Sequence, residues 1–350
     1  MSIWTEWDPL EEVIVGNCFL YDQLNWDLPK STADKFKLIL EETKEDLDNL
    51  ADYLKKMGIQ VHRPIPKIND QNIKISKFDI HLATAPIIPR DQYLVYDKTI
   101  YQTYTSLPDR YLDSLSYYEI FVELFKQGYN WISQPPPELS NLDKDWANSG
   151  IAVYSEIYAD KLLWHTACMF KYGDTLLTNT SPGTTLGLEW LKRNTTANII
   201  QQNNFGHIDH GFFSISDDII ICESKDWVPD VLLDKKIYAV APLLGERKDH
   251  TIYLKERDNS PGKISDYWMD RWLSEWKGYF QKVSFDFNPL VVDPNNVIFT
   301  NSQPKLFKLL DSLGINSHVC PIRHGTFWES GVHCVTLDIK RRGNKRSVIS

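Results

Sequence analysis

A recurring order of strand, turn, strand, helix and strand limits most what this chain can fold into. Apolar residues in 161–171 predict a strand, Gly173-Asp174 a turn, and 175–178 a second strand. Ser181-Pro182-Gly183 then opens a helix carrying Leu186, Leu188, Trp190 and Leu191, and 197–200 predicts a third strand. The order returns with strands at 211–215 and 219–222, a short helix at 229–233 and a strand at 237–241. It returns again with a strand at 297–300, a helix at 304–313 and a strand at 317–321, and with strands at 92–96 and 99–103 followed by a helix at 110–126. Near the start, a strand at 12–16 precedes a helix at 33–57 with Phe36, Leu40, Leu47, Leu50 and Leu54 on one face, then a strand at 59–63. About five such units can be drawn, too unequal in length for a sequence-level repeat. A ring of them would place an active site where the units converge. The strongest stiff break is Pro135-Pro136-Pro137, and the polar stretch 138–149 after it reads as a long loop.

Composition excludes several classes. A chain of 350 residues with 38 Lys and Arg against 47 Asp and Glu has a net charge of -9, so it has no cationic excess to displace counterions from nucleic acid. One basic run, Lys340 to Arg346, reads as a solvated terminal strand and tail. The five cysteines lack CxxC spacing and are odd in number, unlike a disulfide framework. No apolar run approaches the roughly 20 residues of a membrane helix and no secretory leader pattern is present, so the expectation is no membrane partner and a reducing cytoplasm. No Walker loop, GxGxxG or GxSxG occurs, which leaves nucleotide and serine-hydrolase readings without support and predicts no cofactor.

Three segments could carry chemistry. Cys334, in Gly331-Val332-His333-Cys334-Val335-Thr336, stands where a small-residue loop enters a strand; a lone cysteine is most often a buried structural one. In Gly206-His207-Ile208-Asp209-His210-Gly211, alternation puts His207 and Asp209 on one side of an extended segment, where the carboxylate can orient the imidazole. A metal reading with His207, Asp209 and His210 as ligands lacks the HExxH or paired-Cys spacing that would support it, and no metal is expected. Asp91, in Ile88-Pro89-Arg90-Asp91, sits at a strand start, where it can be a turn residue or a partner for a cation.

Taken in order, these pieces resemble the glycine amidinotransferases of the pentein superfamily. The carriers are the opening segment Glu6-Trp7-Asp8-Pro9-Leu10-Glu11-Glu12-Val13-Ile14-Val15-Gly16, then Pro89-Arg90-Asp91, then Gly187-Leu188-Glu189-Trp190-Leu191-Lys192-Arg193. His207-Ile208-Asp209 and His333-Cys334-Val335-Thr336-Leu337-Asp338-Ile339-Lys340-Arg341-Arg342-Gly343 complete the set, which spans Trp4 to Gly343. The resemblance implies an α/β fold, a five-bladed propeller of pseudo-five-fold ββαβ units, with residues 1–350 as a single catalytic domain. It implies covalent chemistry in which a thiolate attacks the guanidinium carbon of a donor, a histidine protonates the departing amine, and an acceptor amine or water resolves the amidino-cysteine. Carried over, Cys334 is the nucleophile, His207 the acid/base, Asp209 the residue that orients His207 or the substrate, and Asp91 a holder of the guanidinium. Arg323 matches an arginine that leads into the cysteine loop and receives no role. The partners are a small-molecule guanidino donor and an amine acceptor; a homodimer is compatible with the sequence, which does not fix the oligomeric state.

Three departures mark the site. Where the family has an Asp, this chain has His165, in His165-Thr166-Ala167-Cys168, which makes His165 and Cys168 candidate substrate contacts. One unit charge at 4 Å is worth about 4 kcal/mol at an effective dielectric of 20, so losing that carboxylate would weaken guanidinium binding and a charged His165 would repel the donor. Glu223-Ser224-Lys225-Asp226 stands where the family has an arginine that grips a substrate carboxylate, and Lys225 lacks the bidentate fork. Asp286 replaces a family serine and could bind a cationic group. Together they point to a donor or acceptor other than arginine and glycine, in specialised metabolism. The alternatives are a guanidine hydrolase (deiminase or dihydrolase) of the same superfamily and a non-catalytic binding protein of this fold.

Overall fold

A computed structural model of the chain describes residues 2–23, 30–67, 73–75, 78–80, 85–104, 110–137, 160–179, 183–202, 207–244 and 287–349. In chain order the elements begin with β1 (Leu10–Val15), α1 (Lys30–Lys56), β2 (Gln60–His62), and a hairpin of β3 (Ile73–Ile75) and β4 (Phe78–Ile80). Then come β5 (Tyr93–Tyr96), β6 (Thr99–Gln102), α2 (Ser114–Lys126), β7 (Asn130–Ser133), β8 (Met169–Tyr172), β9 (Thr175–Thr178), α3 (Thr185–Asn194) and β10 (Asn198–Gln201). The rest are β11 (Phe212–Ser214), β12 (Ile219–Cys222), β13 (Lys236–Ala239), β14 (Leu290–Asp293), β15 (Asn296–Phe299), α4 (Pro304–Ser312), β16 (Asn316–Val319), α5 (Gly325–Trp328) and β17 (Thr336–Arg341).

The strands form five three-stranded sheets of one design: an antiparallel pair joined by a tight turn, then a third strand parallel to the second. A parallel neighbour needs a crossover, and a helix supplies it in four of the five units. In the β11–β13 unit the short turns Lys225–Trp227 and Asp230–Leu232 replace it, with Pro229 between them. The remaining unit is shared by the two ends of the chain: β17 pairs antiparallel with β1, which pairs parallel with β2 after α1.

Burial orders the strands radially. First strands of the units are buried along their length, whereas the third strands β7, β10, β13 and β16 have exposed ends. Apolar clusters join each unit to the next. Ile14, Leu337 and Val95 pack together, as do Leu94 and Met169; Phe170, Phe212 and Val291 form a third group and Leu290, Val13 and Val335 a fourth, so the circuit closes. On α1 the predicted face is buried at Phe36, Leu40, Leu47, Leu50 and Leu54. Two polar residues on that face, Thr43 and Asp46, take hydrogen bonds from Trp328 Nε1 (2.8 Å) and from the Arg323 backbone (2.7 Å), which fixes the segment leading to the cysteine loop.

Several expectations need correction. Only 169–172 of the predicted strand 161–171 is strand, because Thr166–Cys168 turns as a 3-10 helix first. The basic run is solvated only in part: Arg342 and Lys345 are exposed, but Arg341 and Arg346 are not. On β17 alternation turns Arg341 inward, where it is fully buried, bonds Asp338 (2.8 Å) and donates to the carbonyls of Asp8 (2.6 Å) and Val291 (2.8 Å). Arg346 is clasped by Asp8 and Asp217. The loop expected at 138–149 lies outside the described residues. Among the described residues no helix is long and apolar enough to cross a membrane.

Arg341 ties the closing strand to the segment before β1 and to β14 of the neighbouring unit, so Arg341→Met should cost about 3–5 kcal/mol by leaving Asp338 buried without its cation, read as a lower urea midpoint; Arg341→Met with Asp338→Leu should recover part of that loss.

Candidate active site

Each segment that enters the first strand of a unit turns sharply and delivers side chains to the centre. Pro89–Asp91 enters β5, Thr166–Cys168 enters β8 and Ile208–His210 enters β11, all as 3-10 turns, and 331–335 enters β17. The turns are bonded to one another: Thr166 Oγ1 donates to the Arg90 carbonyl (2.5 Å), and Asn288 Nδ2 to the Asp209 carbonyl (3.3 Å). Asn288 also accepts the backbone N–H of Cys334 on Oδ1 (3.0 Å) and that of His333 on its carbonyl (3.1 Å). One amide side chain thus fixes the cysteine turn against the Asp209 turn.

Beneath lies a buried ionic network. Arg90 meets Glu6 at 3.2 Å and Asp209 at 3.3 Å, Lys171 meets Glu6 at 2.8 Å, and His333 Nδ1 donates to Asp209 Oδ2 at 2.8 Å. Burial would raise the Asp209 carboxyl, but the hydrogen bond from His333 and the fields of His210, His333 and Arg90 hold it well below the usual carboxylate range.

Above this network Cys334 Sγ lies 3.6 Å from His210 Nε2 and 3.8 Å from Asp209 Oδ2. Burial, reinforced by the carboxylates of Asp209 and Asp91, pushes its thiol well above the ordinary value, so Cys334 rests protonated. His207 is half-buried, with its ring 5.4 Å from that of His210 and 5.8 Å from that of His165. Asp91 Oδ2 is paired with Arg110, which also bonds Asp113 (3.0 Å). Burial drives His165 down to about 3 and His210 down to about 4, despite the opposing pull of Asp91 and Asp209 respectively. Both are neutral rings at neutral pH, so His165 removes a negative charge without adding a positive one. Among the described residues, Asp91 Oδ1, Asp209 Oδ1, His165 Nδ1 and His207 Nδ1 are buried at this centre without a hydrogen-bond partner.

The structure therefore brings Cys334, His207, Asp209, Asp91 and His165 together, with Cys168 fully buried beside them under the field of Asp209 and Asp91. It corrects one detail: residues 208–210 are a 3-10 turn rather than an extended segment, with about three residues per turn, so Asp209 accepts from His333 and His210 meets the sulfur. Asp286 lies outside the described residues. Lys225 is exposed, and Arg323 is bound to Asp46 (2.8 Å) and Glu42 on α1. Sequence reading missed Glu6, Arg90, His333 and Asn288 as parts of the site. Three of these stood inside the quoted motifs, where a charged or ionisable residue beside an apolar strand is the available signal.

Five ββαβ units in a closed circuit, with site residues on the turns into their first strands, define a pentein fold. Solved structures agree. The chain superimposes with a TM-score of 0.74 on inosamine-phosphate amidinotransferase of Streptomyces griseus (23% identity, covering 100% of this chain and 99% of that one). The TM-score is 0.76 to an amidinotransferase of Microseira wollei in the saxitoxin biosynthetic pathway (21% identity, 99% of both chains). No family model matches the chain. In sequence it is 25% identical to inosamine-phosphate amidinotransferase 1 of Streptomyces griseus over 97% of each chain. It is 23% identical to the mitochondrial glycine amidinotransferase of Gallus gallus over 98% of this chain and 83% of that protein. The amidinotransferase resemblance read from the motifs is borne out over nearly the whole length.

Because His165 and His210 titrate lower in the folded chain than the ordinary 6.5, the unfolded chain binds more protons between about 6.5 and the folded values of about 3 and 4. Stability is full above about 6.5 and falls as pH drops through that window. Urea midpoints between pH 7 and 4 should show the fall, and the His165→Gln, His210→Gln double variant should flatten it.

Proposed function

We propose that the protein is an amidinotransferase that moves an amidino group from a guanidino donor to an amine acceptor through an amidino-Cys334 intermediate, with the whole chain as one catalytic domain. The observation that carries this reading is a buried thiol 3.6 Å from a neutral imidazole, beside two carboxylates that each keep one unpaired oxygen. A planar cation with several N–H donors suits such oxygens. Asp91 Oδ1 and Asp209 Oδ1 accept its N–H groups, and the neutral His165 accepts where a carboxylate would otherwise stand.

Arrival of the cation offsets the two carboxylates that keep Cys334 protonated, so the donor itself favours the thiolate. The thiol proton passes to His210, whose Nε2 faces the sulfur. Sulfur attacks the guanidinium carbon, the proton taken up by His210 is relayed through the adjacent His207 to the departing amine as the C–N bond breaks, and the amidino group stays on Cys334. Deprotonated by His207, the acceptor amine attacks the same carbon and releases the thiolate, which recovers its proton. The neutral ring at His165 and the absence of a bidentate arginine at 223–226 favour a donor or acceptor other than arginine and glycine.

Intact-protein mass spectrometry with a panel of guanidino compounds should reveal an amidine-sized adduct that Cys334→Ala removes and Cys168→Ala retains. Undiminished turnover in Cys334→Ala would overturn the reading, citrulline formed without an acceptor would identify a hydrolase, and no adduct with any donor would identify a binding protein. His165→Asp restores a carboxylate and should lower the KM for arginine about tenfold or more, well within what one nearby charge can supply.

A further inference from the structure

Cys334 and His210 are 124 positions apart in sequence. His207, Asp209, His210 and Cys334 nevertheless each place one ligand-capable atom within 4.8 Å of the other three. The short approaches are 3.6 Å from Cys334 Sγ to His210 Nε2, 3.8 Å from Cys334 Sγ to the anchored Oδ2 of Asp209, and 3.9 Å from His210 Nε2 to its open Oδ1. A tetrahedral ion with bonds of about 2.0–2.1 Å to nitrogen and oxygen and about 2.3 Å to sulfur has edges of roughly 3.3–3.6 Å. The Cys334–His210 approach already matches such an edge, and Asp209 and His207 lie within 4.8 Å of it, near enough for side-chain rotation to bring one oxygen and one ring nitrogen onto the ion.

A second observation points the same way. Asp209 is 3% exposed and its Oδ1 has no hydrogen-bond partner, while Oδ2 is held by His333 Nδ1 and Arg90. A carboxylate with one oxygen anchored and the other open is how outer partners orient a metal ligand. His207 Nδ1 is also buried without a partner. His207 and His210 are only partly buried, so the cluster is reachable. The donor set of one sulfur, two imidazoles and one carboxylate suits zinc-class ions rather than the all-oxygen shells of calcium or magnesium.

We propose that this cleft binds a zinc-class divalent cation through Cys334, His210, Asp209 and His207, and that the ion and the guanidino donor exclude one another because both need the same sulfur. On binding, the S–H bond of Cys334 breaks, a bond from sulfur to the metal forms, and the proton leaves to solvent. The neighbouring trio of Asp91, His165 and His207 shares one of these ligands but brings no sulfur. Metal occupancy therefore holds the thiol away from its chemistry until the ion is withdrawn.

The test titrates the reduced, metal-stripped full chain with Co2+, then displaces it with Zn2+ against a chromophoric chelator. The expected result is one ion per chain, a near-ultraviolet sulfur-to-cobalt charge-transfer band, and the intense visible bands of a four-coordinate ion. Cys334→Ser should abolish the charge-transfer band. His210→Ala should weaken binding about tenfold or more, since even an outer partner is worth that much. His165→Gln should leave the spectrum unchanged. Circular dichroism of each variant reports whether it folds, and Zn2+ should raise the melting temperature of the wild type but not of Cys334→Ser. Absence of the charge-transfer band in the wild type, its persistence in Cys334→Ser, or its loss in folded His165→Gln would overturn the assignment. No readout needs turnover, so a chain that binds cobalt at Cys334 yet forms no amidino adduct refutes the catalytic reading alone.

Discussion

Arg90 buried between Glu6 and Asp209 is the interaction on which the rest of the site depends. Three charges withdrawn from water are tolerable only if each finds partners, and a buried pair that loses one member is strongly destabilised. Glu6 comes from the segment before β1, Arg90 from the turn before β5 and Asp209 from the turn before β11, so three parts of the chain must converge before any one is satisfied. Lys171 adds a fourth unit, and His333, from the turn before β17, joins the same unit as Glu6 from the other end of the chain. The network selects one relative placement of the turns, and Cys334 follows His333 directly in sequence. Stability and the position of the nucleophile are thus the same problem.

Electrostatics above that network are arranged around the absence of the substrate. Two carboxylates, each with an oxygen left unpaired, raise the cost of a thiolate at Cys334, and burial keeps His165 and His210 uncharged. Buried unpaired acceptors are costly unless a ligand completes them. A cation entering the cleft would resolve all of these penalties at once. The replacement of a carboxylate by His165 softens the negative field without reversing it, which leaves room for a donor less strongly cationic than arginine.

Much of the architecture was legible in the sequence because it rests on local patterns. The apolar face of α1, the strand β12 and the helix α4 fall where periodicity and turn residues place them. β7 went unseen because its four residues, Asn-Trp-Ile-Ser, are half-exposed and carry no clear alternation, and β14 because it follows a proline with little polar patterning. In the site, Cys334 stood out only through the family resemblance, because a lone cysteine at a loop-to-strand junction is most often structural. The His207–His210 segment misled, since alternation assumes an extended chain and the segment coils: one extra turn moved His210 to the sulfur and gave Asp209 to His333. Asn288 left no signal at all, because an amide that clamps two distant turns looks in sequence like any other loop residue.

The pairing of β17 with β1 has a consequence for how this molecule comes into being. Cys334 sits on the turn into the last strand of the circuit, and that strand is hydrogen-bonded to the first. While the C-terminal segment is still being synthesised, the early units can pack but the circuit stays open, with Asp209 waiting for a histidine not yet delivered. The position of that sulfur is therefore a property of the finished object, set only when the last strand has closed on the first.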